Sequence, residues 1–179
     1  YGDVVGRAVD YIFDRAAVNG PGLFFNPGNY SRSVYTTGIA TSVVYELGQA
    51  LGPNSVIGFG SGHVSGQTYK QVMQGVTEWF TWGQNPDGGW RYYPNYGGSD
   101  NSTAQWGALP FLYGSGWGLA TPASVTTGLE AWTNQVQNPM SAGVDWRDGG
   151  SGYTNTTNYV NMAKTGGMLL EFAVQGKTL

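Results

Sequence analysis

At 179 residues and a formal net charge of -3, the chain has the size of one ordinary domain, 1–179, and no charge excess to draw it to nucleic acid or a membrane surface. Only 11% of its residues are charged, and its eight lysines and arginines are scattered singly, so no basic stripe can follow a phosphate backbone. Cysteine is absent, which excludes disulfides, thiolate catalysis and a sulfur-ligated metal. Solubility rests instead on asparagine, serine, threonine, tyrosine and 30 glycines, a composition associated with extracellular or cell-surface microbial proteins.

The chain opens in helical register. Val4, Ala8, Ile12 and Ala16 recur every fourth residue beside Val5, Val9, Phe13 and Ala17, with Arg7, Asp10 and Asp14 opposite, which predicts an outer amphipathic helix near 3–17. Neither a basic n-region nor an apolar h-region precedes it, as expected of a mature protein or of a fragment cut from a longer one. After a glycine-rich turn carrying Phe24, Phe25 and Tyr30, the segment from Val34 to Leu51 is apolar or small around most of its circumference. That pattern predicts a buried inner helix near 33–51, capped by Ser31 or Ser33. The glycine-rich stretch from Gly52 to Thr68 is long enough for mobility or function, and its His63 reads as a solvated loop residue.

Tyr69, Val72, Met73, Val76, Trp79 and Phe80 predict a second outer helix near 68–83. Behind a turn bearing Tyr92, Tyr93 and Tyr96 comes a second inner helix near 101–113, capped by Ser99, Asp100 or Asn101. Pro110 either kinks that helix or delays its regular part. Val125, Leu129, Trp132 and Val136 predict the third outer helix near 122–137, and a turn with Asp148 and Tyr153 leads to the third inner helix near 158–174, capped by Thr157 or Asn158. None of these runs approaches the roughly 20 apolar residues of a membrane span.

The three courses repeat, over approximately 1–52, 68–114 and 122–176, and they register Gly38 with Gly107 and Gly166. Each inner glycine costs about 1 kcal/mol of helix propensity relative to alanine, and close packing is the expected return. Three half-wet helices alternating with three buried ones predict an all-α fold: an α/α toroid arc of three helical hairpins, six main helices in an inner and an outer layer. An open arc leaves apolar flanks at its ends, so either a homodimer or the missing second half of a ring is expected to cover them.

The second turn, Gln84-Asn85-Pro86-Asp87-Gly88-Gly89-Trp90, ends an aromatic-rich helix and resembles the QW motif of squalene cyclases. The following stretch from Ser99 to Leu109 resembles the start of an inner helix in the prenyltransferase and squalene-cyclase repeat superfamily. The third copy keeps Asp148-Gly149-Gly150 with no glutamine or tryptophan in place around it. At the level of repeat architecture the likeness covers essentially the whole chain, and it implies half of that family's toroid.

A motif repeated around a ring serves the ring, so Gln84, Asp87, Gly88, Gly89 and Trp90 read as structural. The chemistries that the resemblance brings in each lack their residues here. Cyclisation needs a cluster of aspartates where this chain has Asp100 alone, and the zinc of protein prenyltransferases needs a cysteine. An internal thioester needs one too, so neither metal nor cofactor is expected. Related toroids also serve glycosidases and polysaccharide lyases, and Asp87, Asp100, Asp145 and Asp148 lie in turns at one end. Asp87 and Asp148, each before two glycines, read as turn residues bonding their own backbone. Asp100 reads as an N-cap and is the one acid left for catalysis; as a cap, Asp100→Asn is expected to be nearly silent and Asp100→Ala to cost about 1 kcal/mol. The sequons at Asn29, Asn101 and Asn155 are explained equally by capping.

Phe25, Tyr30, Tyr92, Tyr93, Tyr96 and Tyr153 fall on the equivalent turns, hence at one end of the arc. Tyrosine with asparagine and little charge stacks on sugar rings or buries a protein partner. The expectation is a non-catalytic binding or structural module of a secreted or cell-surface protein, recognising a glycan or a protein. The alternative is an incomplete or divergent enzyme of the terpene-cyclase or lyase/glycosidase toroid type.

Overall fold

The computed structural model describes residues 2–25, 28, 30–139 and 146–177. It is mostly helical: α1 (Gly2–Phe13), α2 (Ser33–Leu51), α3 (Tyr69–Gly83), α4 (Ala104–Gly116), α5 (Ala123–Val136) and α6 (Met162–Val174), with a hairpin of β1 (Ala16–Asn19) and β2 (Gly22–Phe25) between the first two. No helix among the described residues is long and apolar enough to cross a membrane. Asp145 and the sequon asparagine Asn29 lie outside the described residues.

The all-α expectation is roughly right, and the hairpin is its one small addition among the described residues. The first helix stops at Phe13, and Ala16 and Ala17 enter a strand in which Ala16 stands opposite Phe25 and Asn19 opposite Gly22. Alanine favours helix, but here packing overrides propensity. A Cβ on Gly22 would stand 2.3 Å from the Trp79 amide nitrogen and 2.4 Å from the Gly75 carbonyl, so only a bare Cα lets the hairpin lie this close to α3. Phe24 then stacks on Trp79 at 5.4 Å between centroids, and all four residues of β2 are buried.

Helices α2, α4 and α6 lie side by side with α4 between the other two; α3 packs on α2, α4 and β2, and α5 on α6. The register glycines set the seams. On Gly38 of α2 a Cβ would fall 2.6 Å from both Cβ and carbonyl oxygen of Trp106 in α4. That carbonyl is the one Pro110 cannot bond, because proline has no N–H to return to the residue four before it. Helix α4 nevertheless runs unbroken from Ala104 to Gly116. The core that these contacts enclose is strongly aromatic, with Trp79, Trp90, Trp132, Tyr69, Phe13 and Phe80 fully buried.

Four local expectations change. The third inner helix begins at Met162, and Asn161 caps it by accepting from the Lys164 amide, whereas Thr157 and Asn158 belong to the preceding turn. Helix α2 starts from a 3-10 turn at Tyr30–Arg32 with no side-chain cap; Ser33 is already helical and Ser31 does not cap it. Nor is α6 buried on nearly all sides: only Gly167, Met168 and Glu171 are, while Met162 and Leu169 face solvent. The 52–68 loop is pinned rather than loose, since Asp10 accepts from the Gly60 amide and Asp14 from the Ser61 amide, each at 2.7 Å.

Candidate functional site

The three turns meet at one end of the helices. The Val34 amide donates to the Tyr92 carbonyl at 3.2 Å, and the Asn101 amide to the Tyr153 carbonyl at 2.8 Å, so each turn is tied to the next. Within the QW-like turn, Gln84 Nε2 donates to the Gly88 carbonyl at 2.7 Å and reaches the Val125 carbonyl of α5 at 3.3 Å. Trp90 Nε1 donates to the Phe80 carbonyl at 2.9 Å, and its ring covers the bare Cα of Gly107. Asp87 does not bond its own backbone as the sequence suggests. Its carboxylate accepts from the amide and hydroxyl of Ser99, twelve residues on, and so fixes the entry to α4.

Asp100 sits behind this framework with no exposed surface. Its Oδ1 accepts from the amides of Ser102 and Thr103, both at 3.0 Å, and from both of their hydroxyls. Its Oδ2 faces Arg91 Nε at 3.2 Å. The turn that enters α4 is closed by the Asp100 carbonyl, which accepts from Thr103 and Ala104. Asp100 therefore has the bonds of a cap and also a cationic partner, the part-exposed Arg91, which a cap alone lacks. Among the described neighbours its environment is hydroxyls, amides and a guanidinium, not an apolar box.

Around Arg91 lies a tyrosine sheath. Its guanidinium is 5.2 Å from the Tyr92 ring centre and 5.1 Å from that of Tyr96, a cation–π spacing. Burial opposes the Arg91 charge, but the Tyr92 hydrogen bond and the Asp100 carboxylate outweigh it and raise its pKa. Burial, then the neighbouring Asp100 carboxylate, push the Tyr153 phenol up to about 12, so it is a neutral donor rather than a base. Tyr35 of α2 stacks on Tyr92 and shares its hydroxyl with Ser102 at 3.0 Å and Thr103 at 3.1 Å.

Outward from this sheath, Tyr30, Tyr93 and Tyr96 form a contiguous exposed row, each 36 to 37% accessible. Tyr93 meets Tyr96 at 4.9 Å and Tyr30 at 6.2 Å. Arg32 caps the row, its guanidinium 4.2 Å over the Tyr92 ring. Of the sequence-derived aromatic set, Tyr30, Tyr92, Tyr93 and Tyr96 are brought together here, and Tyr153 lies half-buried on the Asp100 side. Phe25 is not part of it: pairing in β2 turns it into the core against Phe13, at 6.1 Å. Tyr35, Arg32 and Arg91 were not singled out in the sequence; the contacts of Tyr35 and Arg32 with Tyr92 are long-range, whereas those of Arg91 with Tyr92 and Tyr96 are made within its own turn.

The third turn is closer to the second than its sequence suggests. Asn85 accepts from the Gly88 amide and donates to the Gly89 carbonyl through the main chain, and Asn138 makes the same two bonds with Gly149 and Gly150. Gln137-Asn138-Pro139 thus matches Gln84-Asn85-Pro86, separated from Asp148 by residues 140–147. Comparison with protein-family models, with curated proteins and with solved structures returns no match to this chain.

Proposed function

We propose that the chain is a non-catalytic binding module of an extracellular or cell-surface protein, built as a squalene-cyclase-like arc of three helical hairpins and binding a glycan at its turn end. The single observation that carries the reading is the exposed row of Tyr30, Tyr93 and Tyr96 backed by Arg32 and the Tyr35–Tyr92 stack. Aromatic faces take the apolar faces of sugar rings, and the phenol and guanidinium edges supply hydrogen-bond donors for the hydroxyls. The rings are held by one another and by Arg91, so little side-chain entropy is lost when a ligand lands.

The arc is supported by the inner row α2–α4–α6, by the outer packing of α3 and α5, and by the shared turn geometry of the second and third repeats. The competing enzyme reading asks Asp100 to donate a proton. Its Oδ1 is engaged by four donors and its Oδ2 by Arg91, an arrangement made for an acceptor. The test is a glycan array probed with the chain and with a Tyr93→Ala/Tyr96→Ala double variant. Saturable binding to a glycan class that drops at least about tenfold in the variant supports the reading. Binding unaffected by the variant, or binding to proteins alone, contradicts it.

A further inference from the structure

Two arginines flank the tyrosines of the second turn, and their charges are met differently. Arg91 faces the Asp100 carboxylate at 3.2 Å and lies against the rings of Tyr92 and Tyr96. Arg32 is exposed, and among the described residues no carboxylate lies within ion-pair distance of it. Its neighbours in the chain at 26, 27 and 29 are Asn, Pro and Asn, which carry no charge. The Arg32 guanidinium sits 4.2 Å over the Tyr92 ring, and its Nη1 donates to the Ser31 carbonyl at 2.9 Å. A guanidinium carries more N–H donors than that one bond uses, so its face is engaged while part of its edge stays open.

The acids of the same turn are withheld from this surface. Asp87 engages the Ser99 amide and hydroxyl, and Asp100 has no exposed surface. The outward face of the turn therefore presents phenols and a cation with no carboxylate to balance it. Position adds to the imbalance, because Arg32 stands at the N-terminal end of α2, a 19-residue helix with no acid in its first turn and no side-chain cap. The helix dipole favours an anion at that end and disfavours a cation. The helix end is not itself the site, since the Val34 amide is already held by the Tyr92 carbonyl. Its field instead acts on whatever group Arg32 holds.

We infer that the ligand of the turn end is an acidic glycan, with a sugar carboxylate on the open edge of Arg32 and the sugar faces on the rings of Tyr93 and Tyr96. The planar fork of a guanidinium meets the two coplanar oxygens of a carboxylate with parallel, charge-assisted hydrogen bonds. Stacking on Tyr92 holds that fork beside the row, so little freedom is lost when the carboxylate arrives. The inference rests on the glycan reading above and adds to it the charge of the sugar.

Titration calorimetry tests it with oligomers of galacturonate, glucuronate and mannuronate, each beside its carboxyl-reduced counterpart, which keeps the ring and loses the charge. A sulfated galactan oligomer separates a carboxylate from anions in general. At least one uronate oligomer is expected to bind about tenfold or more tighter than its reduced counterpart, with an advantage that shrinks as salt is raised. Arg32→Gln is expected to bring the two within about twofold of each other, and Arg32→Lys to keep part of the advantage, since the charge stays and the fork goes. Lys70→Gln, which removes the same charge at the other end of α3 from the turn, is expected to leave the advantage intact. Circular dichroism checks the fold of each variant. Equal binding of every acid and its counterpart, an advantage that survives Arg32→Gln or is lost equally in Lys70→Gln, or a preference for the sulfate alone overturns the inference. The glycan reading then still stands if Tyr93→Ala/Tyr96→Ala weakens whatever binding remains. Absence of binding to every oligomer also overturns the inference, while the array decides the glycan reading by itself.

Discussion

The second and third turns share one backbone device and fill it in opposite ways. In both, an asparagine main chain closes on a glycine pair. After the pair, the second turn places Trp90, which reaches through to Gly107 and Phe80, while the third places Ser151, whose hydroxyl accepts from Asn101 Nδ2 at 2.6 Å. An indole fills the space between α3 and α4 with apolar surface; a serine leaves the corresponding space to hydrogen bonds. The consequence runs on into packing, because α4 has seven buried residues and α6 three. The geometry of a repeat is thus set by its glycines and asparagine, and its tightness by the one side chain that follows them.

The sharpest break in that comparison is expected from the glycines themselves. Gly88 has φ +91, and a Cβ there would lie 1.8 Å from the Gly128 carbonyl of α5. Gly88→Ala is expected to prevent cooperative folding or to cost more than about 4 kcal/mol in urea unfolding. At Gly149, φ +76 with no atom of the described residues within 4 Å of a Cβ, the same change is expected to meet backbone strain and to cost about 1 kcal/mol. Next in size, Trp90→Ala is expected to lose about 3–5 kcal/mol through cavity formation. Ser151→Ala, measured the same way, removes one partner from the Asn101 amide, which keeps the Lys164 carbonyl, and about 1 kcal/mol is expected.

Asp100→Asn sharpens the contrast between a simple cap and a buried carboxylate that also faces a part-exposed arginine. Read from sequence it is silent; with Arg91 behind it, a loss of about 1–3 kcal/mol is expected, checked by thermal unfolding at fixed pH. The smallest effect is a change of slope at Glu171. This α6 carboxyl is fully buried with neither oxygen hydrogen-bonded by the usual geometric limits, and desolvation raises its pKa well above 4.5, only partly opposed by Trp132. Helix α4 offers no charged residue and α5 only Glu130, which pairs with Lys177 at 3.9 Å. The folded chain keeps a proton that the unfolded chain has released, so stability should fall as pH rises from the ordinary glutamate range up to the raised value. Glu171→Gln is expected to flatten that decline in urea midpoints collected between acid and neutral pH.

The helical segments were legible because Tyr69, Val72, Met73, Val76 and Phe80 repeat with a period that only a helix puts on one face. The β-hairpin was not, since Ala16 and Ala17 continue the stripe of α1 and only the approach of Gly22 to α3 decides otherwise. Phe25 misled for the same reason. Gln137-Asn138-Pro139 was hidden by the insertion at 140–147, although its three letters repeat those at 84–86. Arg91 and Asp100 carried no signal of their pairing, because the irregular turn between them, closed by the Asp100 amide on the Trp90 carbonyl, has no periodicity to read. Glu171 was not singled out in the sequence, and it is fully buried where α6 packs on α5.

The central claim is that the turn-end tyrosines receive a ligand while Asp100 supports them. Heteronuclear NMR, with an oligosaccharide from the array titrated into labelled chain, tests both halves in one sample. The expected result is saturable shifts at Arg32, Tyr92, Tyr93 and Tyr96 with the sugar signals unchanged in chemistry over days. Shifts confined to another surface, or new sugar signals from a cleaved product that vanish in Asp100→Asn, would contradict it.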